Sequence, residues 1–101
     1  MSDARLARAL RQANKVEKLS LDLGTARVAV SIATLGLSVT VLDKSTGAFT
    51  LTFVFADAST ASFTNAELTN GDILDFEFAA LTLTNTAQAD VTLKLLVDKR
   101  V

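Results

Sequence analysis

Asp72, Asp75 and Glu77 are the densest carboxylate group in the chain. Carboxylates this close could serve as a general acid and base if their environments pushed the two pKa values apart. With the loop carbonyls of Asn70 and Gly71 they could instead hold a calcium ion weakly. Both chemistries need the side chains to converge. Asp75 and Glu77 alternate with Leu74, Phe76 and Phe78, which puts them on the solvent side of a strand, where charges normally lie. The spacing of an EF-hand is absent. Lys44 and Ser45 form the other formal pair, but they sit at a predicted turn, and a lysine base must be desolvated to lose its proton. The chain has no histidine and no cysteine, which excludes Ser-His-Asp and Cys-His nucleophiles, thiolate metal sites and disulfides. Gly24, Gly36, Gly47 and Gly71 are dispersed and form no phosphate-binding loop. The expectation is a protein that is not an enzyme, with no catalytic, cofactor-binding or metal-ligating residues.

The 101 residues suffice for one domain, and half of them are apolar. No stretch of about 18 apolar residues occurs, so no membrane span is expected. The charged N-terminus lacks the apolar core of a signal peptide. The net charge of −1 conceals an asymmetry. Residues 1–18 carry five basic side chains against two acidic ones, a net +3; residues 19–101 carry five against nine, a net −4. This is the pattern of a basic arm, residues 1–18, on an acidic body, residues 19–101.

The arm reads as a helix. Ser2 or Asp3 can cap it, and Ala4–Ala13 is rich in strong helix formers. At 100° per residue Leu6, Ala9, Leu10, Ala13 and Val16 share one side, while Arg5, Arg8, Arg11, Lys15 and Lys18 share the other. The expected helix ends near residue 17. Arg5, Leu6, Arg8, Leu10, Arg11, Ala13, Lys15 and Val16 are the candidate protein-binding residues, the apolar stripe docking while the basic stripe meets acidic neighbours. The arm has no aromatic ring to stack on bases, so nucleic acid is not the expected partner. Its Ala/Leu face would insert weakly in lipid, so neither is a membrane. Packing on its own β body is the plainer alternative.

From residue 19 the apolar period is 2 rather than 3.6. Leu19, Leu21 and Leu23, then Val28, Val30 and Ile32, then Leu37, Val39 and Val41 mark strands. Asp43–Gly47 reads as a hairpin loop. Phe49, Leu51, Phe53 and Phe55 follow, then a polar stretch over 57–72 with a short strand near Ala61–Thr64 and a turn at Asn70-Gly71-Asp72. Leu74, Phe76 and Phe78 slip phase at Ala79–Ala80 into Leu81 and Leu83, as a bulge or a bend between sheets would produce. Asn85–Ala89 is a turn, and Val91, Leu93, Leu95 and Val97 form the last strand. The expected fold is mainly β, an antiparallel β-sandwich or jelly-roll-like barrel with an N-terminal amphipathic helix. All thirteen threonines follow Gly24. They read as β propensity on an exposed surface, or as a weakly charged face that packs against other subunits.

Two stretches of the C-terminal half carry a resemblance. Gly71-Asp72-Ile73-Leu74-Asp75-Phe76-Glu77-Phe78, and Leu81-Thr82-Leu83-Thr84-Asn85-Thr86-Ala87-Gln88-Ala89 with Leu93-Lys94-Leu95-Leu96-Val97, resemble small virion-associated β proteins of tailed bacteriophages. The resemblance spans residues 19–98, with Asn85–Ala89 and its neighbours the most specific part. The chain departs from that pattern in having Asp90 where a glycine usually follows the turn. What the resemblance implies is a virion structural protein of capsid decoration (cement) or minor capsid type. Its partners would be the major capsid protein and copies of itself, and the N-terminal helix would be its anchor. A soluble β-sandwich module binding carbohydrate or a receptor, or a phage tail or adaptor component, is the alternative. Sugar recognition has little support, because tyrosine and tryptophan are absent.

Overall fold

The computed structural model describes residues 15–99. They form β1 (Lys15–Asp22), β2 (Arg27–Asp43), β3 (Thr50–Val54), β4 (Thr60–Thr64), β5 (Ile73–Leu74), β6 (Phe78–Asn85) and β7 (Thr92–Lys99), with one 3-10 turn at Asn65–Glu67. All pairings are antiparallel, in the order β1-β7-β2-β6-β3-β4, and β5 pairs with β2. The mainly β, antiparallel expectation holds. Residues 4–14 of the expected helix lie outside the described residues. Its C-terminal end is corrected: Lys15, Val16, Glu17 and Lys18 are strand, opposite Lys99, Asp98, Val97 and Leu96 of β7. The edge of β7 offers eight residues a backbone ladder, and that outweighs a helix preference of tenths of a kcal/mol per residue.

The 17-residue β2 organises the sheet. The sequence divides it into two strands; the structure makes it one, bent in the middle. Its first half, to Gly36, pairs with β6, and its second half, from Gly36, pairs with β7. Leu35, at the bend, has φ 53, a left-handed conformation that crowds a branched side chain. Register shifts between Arg27 and Val30 and between Ser31 and Ala33 mark bulges, and Ala29 has φ 49. These shifts overturn the expected phase. Val28 is 84% exposed, Val30 is 45% exposed although it stands opposite Leu83, and Ala33, opposite Leu81, is buried.

One apolar cluster joins the two sections. Val39, Val41, Leu93, Leu95 and Val97 come from the β1-β7 side; Leu51, Phe53, Leu81 and Leu83 come from the β6-β3-β4 side; all are fully buried. Among the described residues no α-helix covers either section. The buried residues of the two sections thus form one core.

The turns follow the polar punctuation of the sequence, with one correction. The Asp43–Gly47 turn is present, closed by the Gly47 amide on the Lys44 carbonyl at 3.2 Å. The strands it joins do not pair, however, because β3 lies between β6 and β4. Gly71, at φ 93, turns the chain so that its amide donates to the Val41 carbonyl at 2.6 Å. β3 and β4 form a true hairpin whose turn holds Ala58 at φ 70. Alanine gains nothing from that conformation, whereas glycine adopts it freely. Ala58→Gly is expected to raise the unfolding free energy by about 1 kcal/mol, read as a higher urea midpoint at unchanged slope; an unchanged or lower midpoint would refute the strain.

Candidate functional site

At the bend of β2 three segments converge on a groove of about 590 Å³. β2 contributes Leu35, the β3–β4 turn contributes Phe55, Ala56, Asp57 and Ser59, and the β5–β6 link with the start of β6 contributes Glu77, Phe78 and Ala79. The floor is aromatic. Phe78 packs edge-on against Phe53 with ring centroids 5.2 Å apart, and Phe53 also meets Phe76 at 5.3 Å and Phe63 at 5.8 Å. Phe55 lies stacked with Phe53 at 6.5 Å. Leu35 is 57% exposed on the rim, and Asp57 and Glu77 add carboxylates to it. The result is an apolar trough with an acidic border. The alternation signalled Phe55 and Phe78, but nothing in the local sequence signalled that Leu35, Asp57 and Ser59 would meet them. That meeting follows from the bend.

Asp57 is fixed by its own turn. Its Oδ1 accepts the Ser59 hydroxyl at 2.5 Å and the Ser59 amide at 3.0 Å. The hydroxyl, and after it the amide, hold the Asp57 carboxyl below its ordinary 3.8. A carboxyl depressed by folding adds stability that is complete above its unfolded pKa and is lost as pH falls through the lower folded value. The contribution of Asp57 thus disappears only below about pH 4. In an NMR titration Asp57 should have its midpoint below 3.8, and Ser59→Ala should move it upward. A midpoint indifferent to Ser59 would contradict this hydrogen-bonding account.

The opposite end of the sheet is held by a polar clamp. Asn85 is the single buried polar side chain among the described residues. Its Nδ2 donates to the carbonyls of Leu23, Thr25 and Thr86 at 3.3, 3.0 and 2.7 Å, and its Oδ1 accepts from Arg27 Nη1 at 3.2 Å. Gln88 pairs with both backbone groups of Ala48, at 2.7 and 2.8 Å. Asp90 has φ 59, so it occupies the conformation that a glycine there would take. The stretch from Asn85 to Asp90 therefore serves the fold in this chain. Asn85→Ala strands carbonyls that are partly or wholly shielded from water and is expected to cost about 2 kcal/mol, measured by chemical denaturation; a loss within experimental error would show that water replaces the clamp.

The other candidates do not assemble into chemistry. Asp72 Oδ2 accepts the Thr69 amide at 2.8 Å, and Asn70 Oδ1 accepts the Lys44 amide at 2.8 Å; both side chains shape their turns. Lys44 Nζ donates to the Asn65 carbonyl at 2.7 Å. Asp75 and Glu77 are exposed. Among the described residues no three His, Cys, Asp or Glu side chains gather to hold a metal ion, and no helix is long and apolar enough to cross a membrane. Of the arm residues, Arg5, Leu6, Arg8, Leu10, Arg11 and Ala13 lie outside the described residues. Lys15 and Val16 sit at the start of β1, with Val16 61% exposed.

A second surface is defined by what it lacks. β3, β4 and β6 are adjacent and contain no charged residue. Their core-facing residues include Leu51, Phe53, Leu81 and Leu83, so the opposite face carries cross-strand rows: Thr84-Thr50-Thr64, Thr82-Thr52-Ser62 and Ala80-Val54-Thr60. Across it the Thr52 and Ser62 hydroxyls lie 2.9 Å apart and the Thr82 hydroxyl donates to the Thr52 carbonyl at 3.5 Å, while at its border the Thr64 hydroxyl donates to the Glu67 carboxylate at 3.2 Å.

The chain matches no protein-family model, no curated protein and no solved structure.

Proposed function

We propose that the chain is a non-enzymatic structural protein of a virion, of capsid decoration (cement) or minor capsid type. In this reading the folded sheet is a β-sandwich of jelly-roll-like character, open between β1 and β4. It packs against copies of itself and against the major capsid protein, and the basic arm with Arg5, Arg8 and Arg11 anchors it to acidic surface. The observation that carries the reading is the uncharged Thr/Ser face of β6, β3 and β4. A solvated face normally bears charges, and depletion of charge marks the centre of protein interfaces. β4 adds to this as an edge strand with no charge of its own, covered at its Thr64 end by the Glu67 carboxylate. Val28, exposed on the same section of the sheet, adds apolar area that a neighbouring subunit would cover.

The test is fractionation of particles from the cells that make the protein. The chain is expected to co-migrate with particles at a fixed copy number. Ser62→Lys places a charge on the face at an exposed position; it should lower incorporation without lowering the thermal midpoint. Deletion of residues 1–14, which leaves β1 whole, should release the protein from particles. Recovery of the chain only as free protein would overturn the proposal and favour a soluble binding module.

A further inference from the structure

The acidic-bordered groove suits an occupant that is apolar on one side and basic on the other, and the chain carries such a segment outside the described residues. Residues 4–14 contain Arg5, Arg8 and Arg11, no acidic residue, and Leu6, Ala9, Leu10 and Ala13 at helical spacing. The sheet also determines where that segment begins. Lys15 pairs with Lys99, Lys99 with Gly36, and Gly36 with Phe78. The first residue of β1 thus lies in the same cross-strand row as the groove floor, three strand spacings away, about 14 Å. Since β1 and the second half of β2 both run antiparallel to β7, they run parallel to each other. β1 therefore begins at the level of the bend, beside Gly36 and Leu35. Eleven residues reach about 16 Å as a helix, and further if extended. We propose that, in the free protein, this groove is the docking site for the chain's own segment 4–14.

In that arrangement Leu6 and Leu10 fill the trough against Leu35, Phe55 and Ala79, and the long arginine side chains reach to the border carboxylates of Asp57 and Glu77. Attachment through Lys15 gives the segment an effective concentration in the millimolar range, so a contact too weak to hold a separate peptide is populated. Docking also accounts for the cost of holding Leu35 at φ 53, because that conformation puts a large apolar side chain on the border where a glycine would leave a gap. The proposal concerns the free chain and stands or falls independently of any role in a virion.

The absence of cysteine permits a clean test on the full-length chain. Ser2→Cys carries a nitroxide label, and amide intensities are compared with the label oxidised and reduced, in dilute solution. The amides of Leu35, Asp57, Ser59 and Ala79 are expected to lose most of their intensity. Those of Leu23, Asn85 and Gln88, at the opposite end of the sheet, should keep theirs. With Arg5→Glu, Arg8→Glu and Arg11→Glu combined in the same labelled chain, the groove amides should regain their intensity. The proposal is overturned if they are unaffected in the unmodified arm, or equally broadened with the three glutamates. It is also overturned if broadening arises only when labelled chains without isotope are mixed with isotope-enriched unlabelled ones, which would place another copy's arm in the groove.

Discussion

Phe53→Ala is expected to remove about 4 kcal/mol of stability, the largest loss from any single truncation in this chain. Phe53 is fully buried and touches four other rings: Phe55, Phe63, Phe76 and Phe78. Its removal loses transfer free energy, leaves a cavity between the two sections of the sheet, and breaks three edge-to-face contacts of about 0.5–1.5 kcal/mol each. A domain of this size holds only about 5–15 kcal/mol in total, and each kcal/mol shifts its melting point by about 4–8 °C. The variant should therefore melt roughly 20 °C lower. Phe63→Ala, on the edge strand and half-buried, should lose less than half as much. Calorimetry that ranked the two equally would mean that Phe53 is not the hub of the core.

The second large effect is at Gly36. A Cβ built there would stand 1.9 Å from Phe78 Cζ and 2.3 and 2.6 Å from the two Cε atoms, whereas carbon atoms in contact rest at about 3.5–4 Å. The tip of the Phe78 ring occupies the space beside the bare glycine at the point where β2 leaves β6 for β7. Gly36→Ala must displace that ring or open the bend, and should cost about 3 kcal/mol by overpacking. The cause can be isolated with a double-mutant cycle. Phe78→Ala alone leaves a cavity, but with Gly36→Ala the added methyl is accommodated, so the pair should lose well under the sum of the two single losses. Additive losses would mean that Gly36 serves the backbone rather than the ring.

These two positions show which parts of the fold could be read from the sequence. The alternation of Leu19 with Leu21, of Leu51 with Phe53, and of Leu93 with Leu95 and Val97 is a local record of one buried face, and those residues are core or packed against it. The course of β2 is not locally recorded. Val28 and Val30 alternate like core residues, yet Val28 is exposed beside one bulge, Val30 is half uncovered although it stands opposite Leu83, and a second bulge passes the buried position to Ala33, because a shift of one residue exchanges the faces of a strand. Lys15–Lys18 fail for a related reason: helix propensity is local, and the vacant edge of β7 is not. The groove shares this origin, since Leu35 and Asp57 meet only when β2 bends. The Thr/Ser face lies between these cases. The threonines were visible as a surface, but their alignment into uncharged rows needed the registers of β3 with β4 and β6.

The role of that face is what the functional account stands on, and a cryo-electron microscopy reconstruction of the particle that carries this protein tests it most directly. Density for the folded sheet is expected at symmetry-related positions, with the surface containing Thr50, Thr52, Thr82 and Thr84 against a neighbouring subunit. A particle in which that surface faces solvent at every copy, or in which the protein has no ordered position, would contradict it.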